Sequence, residues 1–247
     1  MSQVSHRVNP SIPKQRRIPP LQNGDRLTLA KFEERYDATP GLKHAELIDG
    51  KVFMSPPMSY GGRSRPHANL ITVLGVYRAL TPGVDVGDNG SVRFDIGNMP
   101  QPDAFLLINP SHGGQTKISA DDYITGAPEL IVEVSATSAS FDLHDKFDLH
   151  LRNSVREYIV WRTLDEEFDY FILRQGKFER LTKSPDNLFH SEVFPGLWLD
   201  PAALIAGDLA FALQRVQQGI ASPEHQTFVA TLQQRANSAS IQNNPNP

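Results

Sequence analysis

Two acidic residues bound apolar runs, and a lysine follows the second at helical distance. Asp103, in Pro102-Asp103, opens the run PDAFLLI; Glu133 closes ELIVEV and is followed by Ser135; Lys146 comes thirteen residues after Glu133. Such runs are too apolar to carry charge for solubility, and an unpaired buried carboxylate is costly. Two carboxylates from adjacent strands can converge on one divalent cation. All-oxygen ligands suit Mg²⁺, which keeps several waters for substrate phosphates, and a lysine beside them stabilises an attacking hydroxide or a transition-state phosphate. The same residues also fit plainer roles. Pro-Asp before a strand is a common turn, Glu133 can pair with an arginine, and Asp142 and Lys146 have the i, i+4 spacing of an ordinary helix salt bridge.

The elements that must position these residues are legible around them. Leu29 to Tyr36 reads as a short helix capped by Thr28. AELIDGKVFM (45–54) reads as a hairpin about Asp49-Gly50. Ser64 and Pro66 open a second helix, in which Leu70, Val73, Leu74, Tyr77 and Leu80 repeat at helical spacing; Pro82-Gly83 ends it. Ser91 to Asp95 is strand-like. The continuous apolar runs at 102–108 and 129–134 suit a sheet covered on both faces. Phe141 to Arg152 reads as one helix that packs on that sheet through Leu143, Phe147 and Leu151, with Asp142, Lys146 and His150 on the neighbouring face. Three strands follow (157–161, 168–173, 177–181), then a turn at Pro195-Gly196 and a closing helix from Ala203 to Val216. This interleaving predicts one α/β domain, a mixed central β-sheet flanked by helices, over residues 27–215.

Composition narrows the function. The chain has 247 residues, 39% hydrophobic and 21% charged, enough apolar material for a real core. The net charge of −4 argues against a protein that coats nucleic acid non-specifically. The absence of cysteine excludes disulfides, thiolate metal sites and cysteine nucleophiles. GxGxxG, GxxxxGK[ST], GxSxG and HExxH are all missing, which removes the main support for dinucleotide oxidoreductases, P-loop NTPases, α/β-hydrolases and zincins. Residues 1–26 read as a flexible basic arm, with Arg7, Lys14, Arg16 and Arg17 ahead of its first acid. Residues 216–247 read as a helix remnant followed by a disordered tail. No apolar stretch approaches the ~20 residues of a membrane span, so the expected compartment is the cytoplasm. Phosphate contact needs local positive charge; Arg63, Arg65, Arg152 and Arg156 are candidates, and each also fits as an ordinary surface arginine.

PD-x(29)-EVS, then D-x3-K on a helix, then VREYIVW, resembles the Uma-two family of restriction endonuclease-like proteins in the PD-(D/E)XK nuclease superfamily. AELIDGKVFMSPP, RPHANLITVL, APELIVEVSATSASFDLHDKFDLHLRNSVREYIVW and VFPGLWLD resemble the family's early hairpin, first core helix, central strand–helix–strand unit and late strand, over roughly residues 28–215. The resemblance implies a restriction-endonuclease-like fold and metal-dependent hydrolysis of phosphodiester bonds in DNA or RNA. It implies Asp103, Glu133 and Glu46 as acids binding Mg²⁺ (or Mn²⁺), Lys146 as the catalytic lysine, His67 near the nucleic acid, and a cleft open to solvent. It also implies a possible homodimer. Where the superfamily places its lysine, two residues after the second acid, this chain has Ser135, so Lys146 must reach the same point from the helix. His150 stands where an aromatic residue is common. A non-cleaving nucleic-acid-binding or assembly module, and a small-molecule hydrolase, use the same acids.

Overall fold

A computed structural model describes residues 17–54 and 59–243, with side chains to 240. Most of the basic arm and the last four residues lie outside the described residues. The helix α1 (Leu29–Asp37) is followed by the hairpin β1 (Glu46–Ile48) and β2 (Lys51–Phe53). A π-helical turn (Tyr60–Ser64) leads into α2 (Arg65–Ala79). Then come β3 (Val84–Asp88), β4 (Val92–Arg93), β5 (Ala104–Ile108), β6 (Lys117–Ile118), β7 (Ile124–Thr125) and β8 (Leu130–Ser135). Two short helices, α3 (Ala139–Leu143) and α4 (Asp145–Arg152), cross to β9 (Glu157–Arg162), β10 (Glu167–Arg174) and β11 (Lys177–Arg180). The chain continues through β12 (Phe189–His190), β13 (Trp198–Leu199), α5 (Pro201–Ala206), α6 (Leu209–Ile220) and α7 (Pro223–Asn243).

The expected mixed sheet is present, in the order β11-β10-β9-β8-β5-β3. β5 and β8 are antiparallel neighbours, whereas β8 and β9 are parallel, which requires the α3–α4 crossover. Both central strands are buried along their whole length, as their apolar runs predict. Alternate residues feed two cores. Ala104, Leu106, Leu130, Val132, Ile159 and Trp161 join α2, α5, α6 and α7 on one face. Phe105, Leu107, Ile131, Val160 and Tyr158 face Leu143 and Phe147 on the other. Asp103 and Glu133 share the parity of the second set, so both belong to the face covered by α3 and α4.

The hairpin turns at Asp49 and Gly50, both with positive φ (50° and 72°), the backbone that a two-residue turn of this hand demands. Its β1 strand also bridges Met99 through Leu47, which draws Glu46 toward the segment entering β5.

Several elements differ from the sequence reading. Thr28 caps α1 without its side chain; its carbonyl accepts from Lys31 and Phe32. Leu80 lies beyond α2 and is exposed. The segment ending at residue 26 is not wholly an arm: Leu21 is buried, Arg26 bridges Lys51, and Gly24 and Asp25 exchange backbone bonds with Val52. The helix over 141–152 breaks at His144 (φ −125°, ψ −78°). The break rotates α4 so that Lys146, Leu149 and His150 are buried, with Asp142 beside them, while Leu151 is only half-buried. The closing helix is two helices, because Gly207 (φ 75°) ends α5 and the Asp208 side chain caps α6 by accepting from Phe211. The domain does not stop at 215: Val216 and Leu232 are fully buried in the first core, and helix α7 continues through the stretch read as a tail.

Candidate active site

Asp103 sits just before β5 and accepts two bonds. Its Oδ2 takes the backbone N–H of Val134 (2.7 Å), and its Oδ1 takes Nη2 of Arg63 (2.6 Å), an ion pair from the π-helical turn. Ala104 pairs with Val132, so one step further along the same register Asp103 lies opposite Glu133. Glu133, on β8, meets Lys146 from α4 at 3.0 Å. Lys146 also reaches Glu46 of β1 at 2.9 Å and Asp142 of α3 at 3.8 Å. Glu46 in turn accepts the backbone N–H of Gln101 (2.8 Å), two residues before Asp103. The four sequence-predicted residues therefore converge, and the ammonium does arrive from the helix. Ser135 serves the lysine only indirectly: its hydroxyl meets Ser138 (3.0 Å), which donates to Asp142 (2.7 Å).

The electrostatics follow from four carboxylates sharing two cationic side chains inside the protein. Burial lifts the Glu133 carboxyl well above the ordinary carboxylate range; Lys146 opposes that lift, and Asp103, Asp142 and Glu46 add to it. Burial also raises Asp142, against Lys146 and its serine donors. Burial works against charge on Lys146, but Glu133, Glu46 and Asp142 outweigh it and hold the ammonium well above the usual lysine range. One lysine cannot neutralise three acids, so Lys146 stays charged while burial pushes Glu133 toward its protonated form.

The remaining candidates divide. His67 joins the site: it is buried, with Nε2 2.9 Å from the Asp103 carbonyl and 3.2 Å from Asp88. Arg63 joins through Asp103. The other three do not come to the cluster. Arg65 is exposed with its guanidinium near Gly207, Arg152 pairs with Asp49, and Arg156 donates to Gln115 (3.1 Å). Among the described residues these side chains are enclosed rather than set on an open cleft: Asp103, Glu133, Glu46 and Lys146 are each no more than 4% exposed. Arg63 and the hairpin cover them. Sequence reasoning missed the Arg63–Asp103 pair and His44, whose two buried ring nitrogens have no hydrogen-bond partner among the described residues. Burial lowers the His44 pKa, against Glu46.

His150 is fully buried, and neither of its ring nitrogens has a hydrogen-bond partner among the described residues. Its ring lies 4.7 Å from Tyr158 and 5.7 Å from Phe94, an aromatic pocket. Burial, then Lys146 and Arg152, hold its pKa well below the histidine range. The native state thus stays neutral while the unfolded chain takes up a proton below about pH 6.5, so stability is lost as pH falls through that value. His150→Phe is expected to stabilise the protein by about 1 kcal/mol or more at neutral pH, by removing unpartnered polar atoms. It is also expected to flatten the acid-side loss. Urea unfolding at about pH 7.5 and about pH 5.5 measures both; parallel losses in variant and wild type would refute the assignment.

The Uma2 family, described as "Putative restriction endonuclease", matches residues 29–202. The chain belongs to the Uma2 family. Among solved structures, a protein from Anabaena variabilis ATCC 29413 described as a putative nuclease belonging to DUF820 is similar, at 15% identity and a TM-score of 0.51. That match covers 70% of this chain and 97% of the other, and it shows the shared fold. No curated protein sequence matches the chain. The Uma2 match spans every residue of the acidic cluster, from Glu46 to Lys146. No helix among the described residues is long and apolar enough to cross a membrane.

Proposed function

We propose that this Uma2 protein is a metal-dependent endonuclease that hydrolyses phosphodiester bonds of nucleic acid, with DNA as the substrate. The observation that carries the reading is the meeting of Glu133 and Glu46, from separate segments, about a single lysine, with Asp103 opposite Glu133 across the sheet and paired with Arg63. No group of three or more histidines and acids among the described residues forms a ready-made metal cage. The donor set nevertheless suits Mg²⁺ or Mn²⁺. It is all carboxylate, with Asp142 counted the cluster carries a formal excess of two negative charges over Arg63 and Lys146, and Mg²⁺ is commonly held by one or two carboxylates with waters and substrate phosphates completing its shell.

Asp103 and Glu133 would hold the ion, with Glu46 beside them. When bound, it supplies positive charge at the phosphate and makes water a stronger acid. Lys146 presents its ammonium to the attacking oxygen, orienting it and stabilising the charge that develops as water adds to phosphorus. Glu46 and Asp142 hold that ammonium in place, and the sheet beneath excludes bulk water, which strengthens each of these interactions. The reading further places the protein in the cytoplasm, as a homodimer.

The burial of the four side chains favours one second reading, a non-cleaving module that binds nucleic acid or assembles with other chains. Incubating the protein with supercoiled plasmid and with single-stranded substrates, across several divalent metals, separates the two. Nicking that needs metal and disappears in Asp103→Asn is the expected result. Gel retardation without metal and without cutting would favour the module. Cleavage unchanged in Asp103→Asn would overturn the site.

A further inference from the structure

Arg63 occupies the carboxylate that an ion would need. Its Nη2 lies 2.6 Å from Asp103 Oδ1, while the other oxygen is already held by the Val134 N–H, so both oxygens of Asp103 are engaged by donors. The guanidinium is not a loose surface group: its side chain is only 16% exposed, and its Nε is buried with no hydrogen-bond partner among the described residues. It thus makes one strong bond and leaves a buried donor unused, a poor arrangement for a purely structural arginine, whose planar fork can make paired bonds.

Its mounting differs from that of the other candidate arginines. Arg63 lies in the π-helical turn Tyr60–Ser64 at the start of α2, a wound segment of a kind often found at functional sites. The turn contains two glycines, Gly61 and Gly62, and is tied to the end of β9 by Thr163, whose hydroxyl donates to the Gly62 carbonyl (2.5 Å). Tyr60, on the same turn, is 74% exposed. The turn therefore faces solvent at one end while Arg63 reaches the acidic cluster from the other.

We propose that Arg63 is a lock on Asp103: it competes with the divalent ion for that carboxylate, and a nucleic-acid phosphate draws it away, so that ion and nucleic acid load together. This rests on the nuclease reading and extends it to the order of binding. A guanidinium and a dication beside one carboxylate repel each other. A phosphate offers the guanidinium an alternative bidentate partner, which the unused Nε is free to complete. The protein then avoids holding an activated ion when no nucleic acid is present.

The test is Mn²⁺ binding to the full chain, followed by electron paramagnetic resonance or calorimetry, with Asp103→Asn as the site control. Arg63→Gln is expected to bind Mn²⁺ about tenfold more tightly than wild type, within the usual range of coupling between two ligands. A second measurement needs no variant. A short oligonucleotide carrying non-hydrolysable linkages is expected to raise the wild-type affinity for Mn²⁺ several-fold, and to have little effect on Arg63→Gln. If wild type binds Mn²⁺ through Asp103 and neither Arg63→Gln nor the oligonucleotide changes that affinity, the lock is wrong and the nuclease reading stands. If neither wild type nor Arg63→Gln binds Mn²⁺ with or without the oligonucleotide, both fall. Tight binding by Arg63→Gln where wild type binds weakly is the strongest support.

Discussion

Lys146→Met is expected to reduce cleavage by several orders of magnitude and to cost the fold about 3–5 kcal/mol, the usual loss when one member of a buried ion pair is removed. Both effects arise from one ammonium. Toward substrate it is the cation beside the reacting oxygen, and preorganised charge of that kind is worth factors of about 10² to 10³ per donor. Toward the protein it is the shared partner of Glu46 and Glu133 at 2.9 and 3.0 Å. Methionine fills similar space, so the loss is electrostatic rather than a cavity. The acids left behind can be neutralised by protons, which gives the prediction a sign: the stability gap between variant and wild type should be wide at about pH 8 and narrow toward about pH 5, as the orphaned carboxyls protonate. A gap independent of pH would mean that Lys146 acts by packing. Rescue of folding by acid without rescue of nicking would separate the two roles.

Much of this site was written locally in the chain. Asp103 and Glu133 stand out because charge at the end of a continuous apolar run has to be compensated, and the register of β5 against β8 makes them neighbours. The hairpin that carries Glu46 is legible from Asp49-Gly50 alone. The helix carrying Lys146 was harder. Leu143, Phe147 and Leu151 mark one stripe and Asp142, Lys146 and His150 the stripe beside it, and spacing cannot say which turns inward. The break at His144 and the pull of the acids on Lys146 decide it, and both are tertiary effects. The partner of Asp103 was illegible for the same reason, since Arg63 lies forty residues away and owes its contact to the turn before α2. Other misses had a local signal. Gly207-Asp208 is a helix stop followed by a cap, and Ser222-Pro223 is a helix start: Ser222 accepts from the His225 N–H, and Leu232 further along α7 fills the core.

Asp103→Ala is expected to destabilise the protein by about 3 kcal/mol in the absence of metal. The opposite outcome has a rationale: acids gathered for a cation repel one another without it, so removing one should bring relief. The structure assigns Asp103 a different balance. Its carboxylate is the only ion-pair partner found for Arg63 among the described residues, and it satisfies the Val134 N–H inside the sheet. Alanine leaves a largely buried guanidinium and a buried backbone donor without acceptors, and such unmet groups cost about 1–3 kcal/mol each, more when charged. Asp103→Asn keeps one acceptor oxygen and should lose roughly half as much. Thermal or urea unfolding orders the three proteins as wild type, asparagine, alanine; an alanine variant more stable than wild type would show that repulsion within the cluster outweighs the Arg63 pair. Excess Mn²⁺ then adds a second axis. An ion that binds only the folded state stabilises it by about 2.7 kcal/mol at a hundredfold excess over its dissociation constant. Wild type should show that gain and both variants should lose it, because the oxygen that serves Arg63 in the free protein is the one the ion must take.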